Sequence, residues 1–168
     1  MENEKTIEVL NTLITINNDR IDGYETAAKE TEEQDLKTLF AQFSSTSQKC
    51  KTELENEVSK LGGTPAEGTM NSGKIYRVWM DVKAALTGKD RKAILNSCEY
   101  GEDIAKDTYK KALENDLQSL NAAQQEMIKA QYALLVADHD RVKMMRDALA
   151  TAQYFHDKIV RKFIIKHS

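Results

Sequence analysis

The chain contains a single proline, Pro65, and only seven glycines among its 168 residues. Chains that turn often use both residue types, because proline cannot continue a helix and glycine tolerates the backbone conformations of tight turns. Here most of these residues fall in three short segments, residues 62–68, 72–73 and 87–88. The sustained apolar–polar alternation that indicates strands is absent from the sequence. The sequence therefore predicts an all-α protein made of long helices.

Apolar residues that recur at steps of three and four residues mark the predicted helices. This spacing predicts four long helices, over residues 5–29, 35–61, 91–114 and from 117 to beyond 150. A shorter helix is predicted over residues 74–86, between the second and third long helices. Asp90 is suited to N-cap the third long helix, because its carboxylate can accept a hydrogen bond from a free backbone N–H.

The connections between these helices indicate how they are arranged. The first and second long helices are joined by a short turn, as are the third and fourth, so each pair is predicted to form an antiparallel hairpin. The hairpins are separated by residues 62–90, and a connection of that length can travel the height of a bundle. Two hairpins joined by one long crossover make the ferritin-like form of the four-helix bundle. We therefore predict a ferritin-like four-helix bundle over residues 1–153.

Polar residues on the buried stripes are expected to meet in one layer of this bundle. Counting 1.5 Å per residue from each turn places Asn17 and Glu102 at the same level. The predicted layer consists of Asn17, Ser47, Cys50, Glu102 and Gln131, with Tyr24 and Tyr109 within reach. Buried polar groups must be paired, so we interpret this layer as a hydrogen-bond network that fixes the register of the helices.

The same layer is where ferritin-like di-iron proteins bind their metals. They use one Glu from each of two helices and Glu-x-x-His from each of the other two. Glu102 fits one such position, but Asn17 stands at the matching place, and neither the second nor the fourth long helix contains Glu-x-x-His. A full di-iron site is therefore not predicted. The alternative is a single divalent ion (Fe, Mn or Zn) on Glu102, assisted by Glu99, Asp103 or Gln131.

Other residues with metal-binding or nucleophilic chemistry are interpreted as structural. His139 lies about 12 Å along the last helix from the polar layer, too far to share an ion with Glu102. We predict a surface or half-buried histidine. Cys50 and Cys98 fall on apolar stripes and are predicted to be free thiols packed in the core. Trp79 is predicted to anchor the crossover helix by packing.

Charge and hydropathy exclude several classes of protein. The net charge of −3 argues against a general nucleic-acid binder, which needs a basic surface. No apolar run approaches the ~18 residues of a membrane-spanning helix. The acidic start of the chain lacks the apolar core of a signal peptide, so a cytoplasmic location is expected.

Residues 154–168 differ in charge from the rest of the chain and are treated as a C-terminal extension. Four basic residues stand against one acid, a local charge of +3: Lys158, Arg161, Lys162 and Lys166 against Asp157. The apolar residues form one helical face: Phe155, Ile159, Val160, Phe163 and Ile164. The favoured interpretation continues the last helix and packs it on its own bundle or a partner's. A helix lying on a membrane surface is the alternative.

Several short motifs make the chain similar to a known family. They are Val9-Leu10-Asn11, Gly23-Tyr24-Glu25-x-Ala27-Ala28, Leu61-Gly62-Gly63, Trp79-Met80-Asp81-x-Lys83-x-Ala85-Leu86-Thr87-Gly88-Lys89-Asp90, Cys98-Glu99-x-Gly101-Glu102-Asp103, Tyr109-x-x-Ala112-Leu113, His139-Asp140-Arg141-Val142 and Arg146-Asp147. Over about residues 5–150 the chain resembles an uncharacterised bacterial four-helix-bundle family, a domain of unknown function within the ferritin-like superfamily. Gly101-Glu102 ahead of Tyr109 is also similar to a rubrerythrin helix, from which the missing Glu-x-x-His departs. The resemblance implies a ferritin-like fold in a bacterial cytoplasm and assigns no activity.

The predicted function is a non-catalytic one. We expect a ferritin-like bundle with a structural or interaction role. A role in stress responses is suggested only by analogy with the ferritin-like superfamily. It is expected to form a homo-oligomer, preferably a dimer, and to need no cofactor. The alternative is a metal-binding, rubrerythrin-like protein with an atypical site around Glu102.

Overall fold

The computed structural model describes residues 2–70 and 72–167 and contains α-helices but no strand in those residues. Within the described residues, five α-helices and one 3-10 turn follow one another: α1 (Glu2–Glu30), α2 (Gln34–Lys60), α3 (Gly73–Thr87), α4 (Arg91–Asn115), the 3-10 turn (Leu117–Ser119) and α5 (Ala122–His167). The all-α prediction is confirmed, and α1 to α4 begin and end within a few residues of the predicted bounds.

Helices α1 and α2 pack along each other and are joined by a turn of three residues. Helix α2 ends where Gly62 adopts the left-handed conformation, with φ of 80°. The backbone N–H of Gly63 then donates to the carbonyl of Val58 at 3.0 Å, which satisfies one of the last free carbonyls of the helix. Glycine is favoured at such a position because it has no Cβ to clash.

The segment between α2 and α3, which contains Pro65, is bound to the side of α1. The Asn11 amide donates to the carbonyl of Thr64 at 3.1 Å and accepts from the N–H of Ala66 at 2.9 Å. Further along, Asn18 donates to the carbonyl of Gly68 at 2.8 Å. These hydrogen bonds give an irregular segment the backbone partners that it cannot supply itself.

Helix α3 packs against α4 and α1. Its Trp79 meets the ring of Tyr24 edge to face, with the ring centroids 5.2 Å apart. A Cβ built on Gly23 would come within 2.2 Å of the Trp79 ring, so the indole lies directly on the backbone of α1. This contact places Trp79 where a packing anchor of the crossover helix is expected to lie.

Helix α4 begins at the predicted N-cap, because the Asp90 carboxylate accepts from the N–H of Ala93 at 3.1 Å. The prediction that the last helix begins near Leu117 is wrong. A 3-10 turn occupies that segment, and α5 begins at Ala122. The cause is a reciprocal cap, in which the Asn121 side chain accepts from the N–H of Gln124 and the Gln124 side chain accepts from the N–H of Asn121.

Helix α5 continues without interruption through residue 153 to His167. Residues 150–166 are all exposed, so this part of the helix does not pack on its own bundle. Packing on its own bundle was one of the two arrangements that the favoured interpretation allowed. At 1.5 Å per residue it projects about 25 Å. Among the described helices, none combines the length and apolar character needed to cross a membrane.

Candidate functional site

Two neighbouring groups of hydrogen-bonded side chains lie in the core. The first, here called the amide cluster, contains Asn17, Tyr109 and Gln131. Asn17 donates to the Tyr109 hydroxyl at 2.8 Å, and that hydroxyl donates to Oε1 of Gln131 at 2.7 Å. Gln131 donates in turn to the carbonyl of Cys50 at 3.3 Å and to Glu53 at 3.1 Å. The amide cluster therefore links α1, α4, α5 and α2.

The second group, here called the arginine cluster, is centred on Arg20, which is 3% exposed. Its guanidinium donates to Oε1 of Glu102 from Nε at 3.1 Å and from Nη2 at 2.8 Å. Nη2 also donates to Asp138 at 3.0 Å, and Nη1 donates to the hydroxyl of Ser47. The Tyr24 hydroxyl donates to the same Glu102 oxygen. One buried cation thus joins three helices besides its own.

The electrostatics of the arginine cluster are those of a buried ion network. Burial alone would lower the pKa of Arg20, but attraction by Glu102 and Asp138 outweighs it and raises that pKa. Burial raises the pKa of Asp138 to about 6, although Arg20 opposes the shift. Burial and the neighbouring Glu102 charge raise the pKa of Tyr24 well above its usual value. The guanidinium is therefore the fixed charge around which the cluster is organised.

The sequence predicted one polar layer where the structure has these two clusters. Asn17, Tyr109, Gln131 and the backbone of Cys50 lie in the amide cluster, whereas Ser47, Glu102 and Tyr24 lie in the arginine cluster. Sequence reasoning missed Arg20 and Asp138. A signal existed for Arg20, because it follows Asn17 by three residues and precedes Tyr24 by four, on the same helical face.

The cation that faces Glu102 in the structure is Arg20. Oε1 of Glu102 accepts from Arg20 and from Tyr24, and Oε2 has no hydrogen-bond partner among the described residues. The Glu102 side chain is 0% exposed. A metal ion on Glu102 would stand next to a guanidinium in this buried space, which like-charge repulsion disfavours.

Both cysteines are buried free thiols. Burial raises the pKa of the Cys50 thiol to about 11, and burial also raises the pKa of Cys98. Since the thiolate is the reactive form, both side chains are set up for packing rather than nucleophilic chemistry.

His139 differs from its prediction, because it is 8% exposed and therefore buried. Its Nε2 lies 2.8 Å from Asp103 Oδ1 and 3.9 Å from Glu99 Oε1, both carboxylates of α4. The structure thus brings Glu99 and Asp103 to His139, not to Glu102 as the single-ion alternative expected. Spacing along α5 indicated how far His139 lies from Glu102 but not that its side chain turns toward α4.

Comparison with known proteins places these residues in a family. A search of curated proteins finds no match. The model of a family described as a domain of unknown function (DUF2383) matches residues 5–115, about two thirds of the chain. The chain belongs to this family. The DUF2383 match covers the segment from α1 through α4 and therefore includes Asn17, Arg20, Tyr24 and Glu102.

The DUF2383 match ends before α5 begins. The two motifs in the last helix that contributed to the expected resemblance, at residues 139–142 and 146–147, lie beyond the matched residues. Gln131, Asp138 and His139 also lie there. Each polar cluster of the core is therefore completed by side chains from outside the matched part of the chain.

Proposed function

We propose that this protein is a ferritin-like, non-catalytic bundle that acts by assembly in the bacterial cytoplasm, and that it pairs with a second copy of itself along α5. The observation that carries the proposal is the exposed apolar face of the projecting end of α5. Phe155 is 55% exposed, Ile159 66% and Phe163 63%. Burying such side chains is worth about 1.5–3 kcal/mol each, so a helix that exposes three of them on one side fits a protein partner.

The apolar face continues from the extension onto the bundle. A row of exposed residues follows steps of three and four along the outer side of α5, with Arg141 between its members: Ala130, Leu134, Ala137, Met144 and Ala148. Alanines on a helix surface let a second helix approach closely. A membrane reached by the extension alone would leave this row unexplained, whereas a second protein helix can cover both segments.

Charge favours a second copy as the occupant. Residues 154–168 hold four Lys or Arg and one Asp, a charge of +3, which leaves −6 for residues 1–153 of the net −3. In an antiparallel pair, the basic extension of each copy lies against the acidic bundle of the other. Opposite charges brought together in this way stabilise the encounter and select the orientation.

Side-chain size also fits an antiparallel pair. A two-fold axis at the level of Arg146 would lay Phe155 of one copy opposite Ala137 of the second copy, and Met144 opposite Ala148. Large side chains would then pack over small ones on both halves of the interface, as a two-fold symmetric contact requires. This register follows from counting residues along α5 on either side of the axis.

The ferritin-like arrangement is supported by the connections in the chain. Both hairpin turns are short, while the connection between α2 and α4 carries α3 and is bound along α1. The two core clusters support a structural role for the polar residues, since each links side chains from several helices. In this proposal Glu102 is the counter-ion of Arg20 and needs no metal.

The test compares variants by sedimentation equilibrium. A triple variant with Phe155→Gln, Ile159→Gln and Phe163→Gln removes the apolar face and keeps good helix formers. A matched control, Tyr154→Gln with Ile165→Gln, makes the same kind of change on the opposite side of the extension, where both residues are also exposed. We expect a wild-type dimer, a monomeric triple variant and a dimeric control.

Two results would overturn the proposal. One is a triple variant that remains as dimeric as the wild type. The other is a wild-type monomer. If that monomer sediments with anionic phospholipid vesicles and loses this binding in the triple variant, the face belongs to a membrane surface instead.

A further inference from the structure

His139 is held between acidic groups on both of its ring nitrogens. Nδ1 lies 3.2 Å from Oδ1 of Asp140, the next residue along α5. Nε2 lies 2.8 Å from Oδ1 of Asp103 and 3.9 Å from Oε1 of Glu99. The imidazole therefore connects α5 to two carboxylates that are four residues apart on one face of α4.

Acidic groups on both nitrogens suit a cation bound between the imidazole and the carboxylates. A neutral imidazole donates from one nitrogen and accepts at the other. If Nδ1 donates to Asp140, the lone pair of Nε2 points at two carboxylates, which are also acceptors. A carboxylate on the far nitrogen is the usual partner of a metal-bound histidine, because it fixes the tautomer and orients the ring.

The geometry points to a divalent-cation site of the zinc type, formed by Glu99, Asp103 and His139 and oriented by Asp140. The three donor atoms lie within 4.8 Å of one another. Zinc binds nitrogen and carboxylate donors at about 2.0–2.2 Å, so tetrahedral donors are separated by about 3.4 Å. The distances of 2.8 and 3.9 Å from Nε2 bracket that value, and small rotations of the two carboxylates reach it.

Exposure and charge around the three donors also suit a bound ion. The His139 and Glu99 side chains are 10% and 15% exposed, while Asp103 is 50% exposed and leaves an open side for solvent ligands. Arg146 pairs with the other oxygen of Glu99 and holds that carboxylate in place. Glu99, Asp103, Asp140 and Asp147 carry four negative charges against the one positive charge of Arg146, a local charge of −3 that attracts a divalent ion.

This site is separate from the core clusters and from the proposed pairing surface. Glu102, on the same helix as Glu99 and Asp103, is turned toward Arg20 inside the bundle. Zinc binding can therefore be tested with the folded dimer, and its failure would leave the assembly proposal standing. Conversely, a monomeric protein that still binds zinc would overturn the assembly proposal and leave the zinc site standing.

The experiment titrates the metal-free full chain with Zn²⁺ by calorimetry and repeats the titration with Co²⁺ while recording the visible absorption. We expect one Zn²⁺ per chain and a Co²⁺ absorption band of a nitrogen–oxygen site. His139→Gln and Asp103→Asn are expected to lose the stoichiometric ion and the band. Asp140→Asn is expected to weaken binding about 10–100-fold, because the ring loses its orienting partner.

Two control variants make the result specific. His156→Gln removes an exposed histidine from the extension, and Glu114→Gln changes an exposed carboxylate of α4 away from the site; both are expected to bind Zn²⁺ like the wild type. A folded wild type that takes up no stoichiometric Zn²⁺ would overturn the inference. Zn²⁺ binding that survives His139→Gln unchanged would overturn it as well.

Discussion

Replacing Arg20 by methionine tests the arginine cluster most severely. Methionine has a similar unbranched shape but leaves Glu102 buried, without the guanidinium that donates two hydrogen bonds to it. Breaking a buried ion pair by removing one partner costs about 3–5 kcal/mol, because the remaining charge is uncompensated. In a chain of this length that corresponds to a decrease in Tm of roughly 6–20 °C. Urea unfolding followed by circular dichroism measures the free energy directly.

A surface arginine provides the matched control. Arg91 also pairs with two acids, Glu33 at 2.8 Å and Asp35 at 2.6 Å, but all three side chains are between 31% and 58% exposed. Arg91→Met is expected to cost no more than about 1 kcal/mol, since exposed ion pairs contribute little. Equal losses for Arg20→Met and Arg91→Met would refute the buried network.

The double variant Arg20→Met with Glu102→Gln completes the cycle. The neutral amide that replaces the Glu102 carboxylate removes the buried charge and keeps an acceptor for the hydroxyl of Tyr24. The double variant should therefore be more stable than Arg20→Met alone by about 1 kcal/mol or more. A double variant that loses the sum of the two single losses would show that the two side chains do not interact.

Two further predictions concern the apolar core. Burial raises the pKa of Cys50 to about 11, so its thiolate fraction at pH 8 is on the order of 0.1%. Cys50 and Cys98 are both buried and should react with Ellman's reagent only after unfolding. Rapid reaction of the native protein would contradict this burial. Gly23→Ala should lower the free energy of unfolding by about 1–3 kcal/mol, because the new Cβ meets the Trp79 ring. Gly68→Ala should be nearly neutral, because no atom of the described residues lies within 4 Å of the new Cβ. Equal urea midpoints for the two variants would contradict this packing.

The helices were predictable because their signals are local. Apolar spacing identifies the buried stripes, and glycines mark the ends of α2 and α3. The start of α5 was missed, although the Asn121 and Gln124 cap that sets it is present in the sequence. The segment before it contains Leu117 and Leu120, which fit a helical stripe as well as they fit a 3-10 turn.

The polar core was only partly predictable because it depends on which residues from distant helices face each other. Counting along the helices gives the height of a residue but not the direction of its side chain. Arg20 was overlooked because a charged residue is usually exposed, and only the packed bundle brings Glu102 and Asp138 to it. His139 was expected to be more exposed than it is for the same reason, since its contacts with α4 depend on the rotation of α5.

We propose that the protein works as a pair of chains joined along α5, and its mass in solution tests this directly. Sedimentation equilibrium of the untagged wild-type chain over a dilution series should give twice the chain mass of 19.0 kDa at the higher concentrations. A mass of 19.0 kDa at every concentration, in a protein that is folded by circular dichroism, would contradict the account.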